Sequence, residues 1–496
     1  IQYIYFFSSV FLAFYTYATW SYDYWKKLGV AGPKPSILFG NFADIFLGRK
    51  ALSEKVQEMY EAYKNEAFVG YFVGSHPVLM IKDPDLIRHV LIKDFNVFSG
   101  RGIRTNEDLD PLTAHIFNID GPRWKVLRHK LTPAFTTGKL KKMFYLMSEC
   151  ADNFERHLKS KVATNNRIEC REQAARYTID VIGSCAFGID MQALDDEDSV
   201  FRKISRDIFR AGFVMRIKRT MGQISPRLYR LLRIRVHKKE VTEFFIKTIT
   251  ETVELRKREN IVRNDFIDLM LQIPQDSVAD GFEWTDNLLT AQAYVFFAAG
   301  FETSSGTISF ALWELSRTPE VQEKLRREVL EFDKKNDGQV TYDGVNDMKY
   351  LDMVVKETLR KNPPATTLIR TSSQNYVIPG TNVTLPAGQS VLIPALALHN
   401  DEKYYPKPEV FDPERFDDEA KQARHPMVFL PFGDGPKNCI GARFGYYQVK
   451  LALIKVMKNF RVKPTTSIDE PYVLDKTSVV LAPLGGFVLQ FERLEA

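Results

Sequence analysis

A chain of 496 residues can bury a large core, and 45% hydrophobic against 26% charged residues excludes a wholly disordered protein. A net charge of +6 is too weak at this length to argue for nucleic acid, and suits an acidic protein partner or anionic lipid heads. The four cysteines, Cys150, Cys170, Cys185 and Cys439, form no C-x-x-C pair, which argues against a disulfide framework, a redox dithiol or a zinc ribbon and favours a reducing compartment.

Residues 1–22 carry no charged side chain, and about 20 apolar residues span a bilayer as a helix. Tyr22, Tyr24 and Trp25 then form an aromatic boundary before Lys26 and Lys27, an order that predicts a transmembrane anchor with the next domain on the cytoplasmic side. A cleaved signal peptide is the rival reading, but no basic n-region or clear small-x-small site is present. Over 23–41, Gly32-Pro33-Lys34-Pro35 predicts a stiff extended hinge, although a plain linker has the same composition.

The body, residues 42–496, reads as mainly α with small β-sheets. Residues 68–73 and 77–81 are β-rich, and a helix opening after Gly121-Pro122 puts Trp124 and Arg128 four apart on one face. From about 140 to 360 helices dominate. The basic run from Arg216 to Lys239, interleaved with Phe213, Met215, Ile217 and Leu228, is either a solvated helix face or a surface for lipid heads. One helix is predicted over 286–317, with Thr285 as N-cap and Pro319 beyond its end. Within it, Ala299-Gly300-Phe301-Glu302-Thr303-Ser304 puts a glycine beside an acid and a hydroxyl, costing the helix about 1 kcal/mol relative to alanine. A packing notch would explain that glycine equally well. Glu357 and Arg360 share a later helix face, Arg370 follows the Pro363-Pro364 turn, and residues 374–394 turn β-rich.

The stretch Pro431-Phe432-Gly433-Asp434-Gly435-Pro436-Lys437-Asn438-Cys439-Ile440-Gly441 carries the most information. Its glycines and proline exclude regular helix or central strand and predict a tight loop whose backbone approaches a neighbour closely. A helical pattern follows from Ala442, so Cys439 lies just ahead of a helix N-terminus, where amides and the dipole favour a thiolate. A lone cysteine is most often an inert core residue; this loop reverses that expectation.

The loop resembles the haem-binding signature F-G-x-G-x-[basic]-x-C-x-G of the cytochrome P-450 superfamily, with Lys437 where the family more often has arginine. The resemblance extends to A-G-x-[DE]-T-[ST] at Ala299–Ser304, E-x-x-R at Glu357 and Arg360, the 411–416 motif containing Arg415, and W-x-x-x-R at Trp124 and Arg128. It implies one haem-containing monooxygenase domain with haem b between the long helix and the cysteine loop. By the same resemblance Cys439 is the axial iron ligand, and Phe432, Gly433 and Gly441 shape its loop. Trp124, Arg128, Arg370 and Lys437 are expected to hold haem propionates. Thr303 is expected to hydrogen-bond dioxygen, with Glu302 relaying protons. Glu357, Arg360 and Arg415 form a structural network.

The activity implied is insertion of one oxygen atom from O2 into a lipophilic substrate, with electrons from NADPH through a separate flavoprotein reductase, because no Rossmann glycine signature is present. Cytochrome b5 and the lipid bilayer are further expected partners, and the endoplasmic reticulum membrane the expected location. The stretches FFAAGFETSS and LTPAFTTGKLKKMF resemble insect microsomal members associated with xenobiotics. Oxidation of an endogenous hormone or fatty acid, peroxide rearrangement without redox, and haem binding without catalysis remain as alternatives. The pocket is expected among Phe98, His115, Phe117, Phe213, Phe296, Phe297, Ala299, Thr366, Thr367 and Val480.

Overall fold

The computed structural model describes residues 2–103, 105–209, 218, 231–263, 265–272 and 283–494. Most of the basic run 216–239, together with Phe213, therefore lies outside the described residues. Helices dominate, and three small sheets flank them. The fold is mainly α with small sheets, as expected.

The predicted long helix spans Asp286–Arg317, with the Thr285 hydroxyl accepting the Leu288 N–H at 3.2 Å. Most of its residues are buried on every side because the large core surrounds it. The helices Cys170–Ile182 and Ala442–Asn459 lie against it. Gly300 fits a notch there, since a Cβ would come 2.3 Å from the Ile182 side chain. Gln292 ties the helix to the preceding loop by accepting the Ile116 N–H and donating to the Ala114 carbonyl, both at 2.9 Å.

A second core lies around a four-stranded sheet. Its strands run in the order Phe68–Val73, His76–Ile81, Ser390–Ile393, Leu368–Thr371. The first and last pairs are antiparallel and the middle pair is parallel. This sheet places Arg370 toward the cysteine loop's side of the molecule.

The N-terminal region differs from expectation in two respects. The helix Gln2–Thr19 has 18 residues, about 27 Å at 1.5 Å per residue. No described helix is long and apolar enough to cross a membrane, since tyrosine, serine and threonine interrupt this one. The boundary residue Trp25 is buried in protein: its indole N–H donates to the Tyr71 carbonyl at 3.0 Å, and its ring fills the space that Gly70 leaves. The expected hinge is also docked on the sheet. Gly70 N–H donates to Ala31 at 2.9 Å, and a Cβ on Gly32 would meet the Gly70 carbonyl at 1.8 Å. Residues 23–41 therefore belong to the body's packing.

Candidate functional site

The glycines shape the cysteine loop. Gly433 and Gly435 have φ of +66° and +71°, the left-handed region that favours glycine. A Cβ on Gly435 would lie 1.9 Å from the Leu91 carbonyl oxygen, so the close approach read from the sequence is made to backbone. The loop closes where the Cys439 N–H donates to the Phe432 carbonyl at 2.9 Å, and the Phe432 ring packs 5.1 Å from that of Tyr446. Gly441 precedes the helix Ala442–Asn459. Cys439 is solvent-accessible although protein crowds it closely, so it borders an internal recess rather than the outer surface. Burial pushes its thiol up from the ordinary value, while the Gly441 N–H and the charges of Arg128 and Arg101 pull it down without prevailing. The expected help from the helix terminus is present but insufficient alone.

Packing brings this loop beside the long helix. Gly445, one turn past the loop, lets its helix approach Ser304: a Cβ there would lie 3.8 Å from the Ser304 Oγ. Phe135 bridges the other side, against Gly441 and 5.2 Å from the Phe296 ring. On a helix otherwise largely enclosed, Ala299 is exposed and Thr303 half-buried, so this turn faces open space within the molecule. The Thr303 hydroxyl donates to the Ala299 carbonyl at 2.7 Å. Glu302 points elsewhere, buried and ion-paired with Arg171. The two residues expected to act together are thus on different faces, because consecutive helical positions differ by about 100°.

Four cations gather beside the loop. Arg370 is buried, its Nε has no hydrogen-bond partner, and burial brings it down to about 10. Lys437, with its side chain fully enclosed, donates to Asp120 Oδ1 at 2.5 Å and lies 4.8 Å from the Trp124 ring centre. Burial brings Lys437 down to about 8 despite Asp120. Arg128 donates to the Asn438 carbonyl at 2.9 Å and side chain at 2.7 Å, so two of its nitrogens hold the loop itself. Arg101 donates to the carbonyls of Lys437 at 3.1 Å and Phe117 at 2.9 Å, and burial beside Arg370 brings it down to about 9.

The family model described as Cytochrome P-450 matches residues 30–490. The chain belongs to the cytochrome P-450 family. It is 40% identical over 486 residues to a protein described as Probable cytochrome P-450 6a13 of Drosophila melanogaster, covering 98% of this chain and 97% of the relative. It is 39% identical to Cytochrome P-450 6k1 of Blattella germanica, covering 99% and 96%. Identity to Cytochrome P-450 6B6 of Helicoverpa armigera is 36%, covering 97% and 96%. Members of this family are haem-containing monooxygenases supplied with electrons by a redox partner, and the chain is an enzyme of that class.

The residues of this cytochrome P-450 fit haem. Haem carries two propionates that cations would hold, and its iron would take the thiolate of a cysteine here. Here Arg101, Arg370 and Lys437 gather around the carboxylate of Asp120, Arg128 lies near Cys439, and the buried Arg370 Nε is left without a hydrogen-bond partner. Arg101 was not singled out from the sequence. Only its position between Gly100 and Gly102 hints at a turn whose side chain is aimed at a fixed target.

Away from the recess, Glu357 and Arg360 are fully buried and joined by two bonds of 2.8 Å, while the Arg415 Nε lies 3.5 Å from Glu357. His399, also missed by sequence reading, links this network to the cysteine loop. Its Nδ1 donates to the Arg360 carbonyl at 3.2 Å and its Nε2 accepts the Leu430 N–H at 2.8 Å. Burial beside Arg360 brings His399 down to about 3, which keeps the neutral form these bonds require. Of the expected pocket residues, Phe98 and Phe297 are core: Phe98 packs on Tyr376, and Phe297 on Phe245 and Phe301. Phe117 is exposed beneath the Arg101 guanidinium.

Proposed function

We propose that this enzyme binds haem b through Cys439 and inserts one atom of dioxygen into lipophilic xenobiotics such as plant toxins or insecticides. The observation that carries the reading is Cys439 at a helix N-terminus, bordering a recess beside four cations. When bound, haem supplies dioxygen activation, and a coordinated metal completes the ionisation of a thiol that burial opposes.

The chain's own residues would do the rest. Arg101, Arg370 and Lys437 neutralise the propionates, and Trp124 backs Lys437. Phe432, Gly433 and Gly441 hold the loop around the sulfur, with Arg128 securing Asn438. Thr303 presents a hydroxyl at the recess and can exchange its Ala299 bond for one to a bound guest. Glu302, held by Arg171 on another face of the same helix turn, is the carboxylate that would relay protons toward Thr303. Apolar guests suit the aromatic surroundings of Phe117 and Phe296.

Exposed Lys141, Lys142 and Arg443 near the cysteine loop suit an acidic partner, which supports an NADPH-dependent flavoprotein reductase and, alternately, cytochrome b5. The uncharged helix Gln2–Thr19 exposes Tyr3, Phe6, Phe7 and Leu12. These support attachment to the endoplasmic reticulum membrane with the body in the cytosol. The test is Cys439→Ala, which should abolish the carbon-monoxide spectrum of reduced thiolate haem; an unchanged spectrum refutes the ligand assignment. Product analysis with reductase and a panel of toxins, insecticides and fatty acids tests the substrate class. Oxidation confined to fatty acids would overturn it.

A further inference from the structure

We propose that Asp120 is a positioning residue for the haem site: one carboxylate sets the placement of Arg101 and Lys437, and its charge tunes the iron. The proposal rests on haem binding as read above. Asp120 stands at the N-cap of the helix Gly121–Leu131, where an aspartate ordinarily accepts an amide of the first helical turn and adds about 1 kcal/mol. It makes no such bond. The carboxylate turns instead to two other segments. It accepts the Arg101 N–H on both oxygens at 3.0 Å, the Gly102 N–H at 3.1 Å and the Lys437 ammonium at 2.5 Å.

The geometry leaves little freedom. A Cβ on Gly100 would lie 3.3 Å from Asp120 Oδ2, and one on Gly102 would lie 2.5 Å from the Thr371 hydroxyl. The Thr371 N–H donates to the Gly100 carbonyl at 2.8 Å, which ties the turn to the strand carrying Arg370. The segments bearing Arg101 and Lys437, and through the Thr371 bond the strand bearing Arg370, therefore meet around this side chain, while Arg128 lies two turns along Asp120's own helix. A helix that forgoes its cap bond to satisfy a distant turn is organised around that turn. Asp120 acts through its neighbours, since its partners are the Arg101 and Gly102 backbone and Lys437.

The experiment compares full-length holoenzyme with Asp120→Asn and Asp120→Glu, reading the iron midpoint potential and haem transfer to excess apomyoglobin. Asp120→Asn keeps the acceptor shape and removes an anion near the cofactor. Its midpoint should move to more positive values, and haem should leave about tenfold faster, the loss of one charge-assisted bond. Asp120→Glu should return the midpoint to the wild-type value, because the charge is restored, while still losing haem faster because the carboxylate is displaced. An unmoved midpoint in Asp120→Asn, or a midpoint in Asp120→Glu matching that of Asp120→Asn, overturns the proposal. If Asp120→Asn yields no folded protein, Asp120→Glu decides alone: faster haem loss at an unmoved midpoint supports the role, and unchanged haem loss overturns it. Wild-type protein without haem would remove the underlying reading instead, and is seen before any variant is compared.

Discussion

Glu357, Arg360 and His399 form a chain of contacts: a buried ion pair joins the first two, and neutral bonds to backbone join His399 to Arg360 and Leu430. Two fully buried charges cost several kcal/mol to desolvate, and their mutual bonds recover that only while both partners remain. Glu357→Gln leaves Arg360 and Arg415 without their anion, and should destabilise the protein by about 3–5 kcal/mol in urea unfolding. The Arg360 carbonyl also holds His399, which holds Leu430, so haem should be lost ahead of global unfolding in this variant. Haem absorbance and far-UV dichroism that fall together in urea would contradict that order. The Glu357 and Arg360 pairing was legible as a three-residue spacing. His399 was not, because nothing local marks a histidine whose two ring nitrogens are satisfied by backbone from distant segments.

At the level of elements, Glu172 fastens the helix Cys170–Ile182 to the helix Val200–Phe209. Its carboxylate accepts from Arg176 at 3.0 Å, Arg202 at 2.6 Å and Arg206 at 3.1 Å. Burial alone would raise it, but the guanidiniums of Arg202 and Arg206 together bring it down to about 2. A carboxyl lowered in the folded state stabilises above its unfolded pKa, and that stability disappears as pH falls toward the folded value. The loss should therefore run from about pH 5 down to pH 2 and amount to about 2 kcal/mol, after allowance for solvent screening. Thermal melting across that window should show a shallower acid decline in Glu172→Gln than in wild type. Equal slopes would show that Arg202 and Arg206 do not hold the two helices through this carboxylate. The long helix Asp286–Arg317 had been legible to its ends, since its cap and stop residues are local signals. The different faces of Glu302 and Thr303 follow from helix geometry, but only tertiary packing, with Arg171 on Glu302, decides which face is the recess.

The whole molecule joins a large helical core to a smaller core on the four-stranded sheet, and the N-terminal segment is sewn into the second. Trp25 is 3% exposed, so Trp25→Ala should cost about 3–5 kcal/mol, comparable to other buried aromatic truncations. Deleting residues 2–19 should leave the melting temperature of detergent-extracted protein nearly unchanged, while extending the deletion through Trp25 should lower it by several degrees. Equal melting of the two truncations would show that Trp25 contributes nothing to the body. The sequence placed Trp25 at a lipid boundary because an aromatic before two lysines is the usual mark of one. The Gly70 notch that receives it is invisible until the sheet exists.

Local chemistry by itself determined the cysteine loop, the long helix, the helical class with small sheets and the residue pairs that later join. Each depends on backbone preference or on spacing within a few residues, and such signals survive without knowledge of the fold. Tertiary structure alone decided the meeting of Arg101 with Asp120 and Lys437, the pairing of Glu302 with Arg171 and the docking of residues 23–41. Those contacts join positions tens to hundreds of residues apart, where charge and shape find their partners only after the chain has packed.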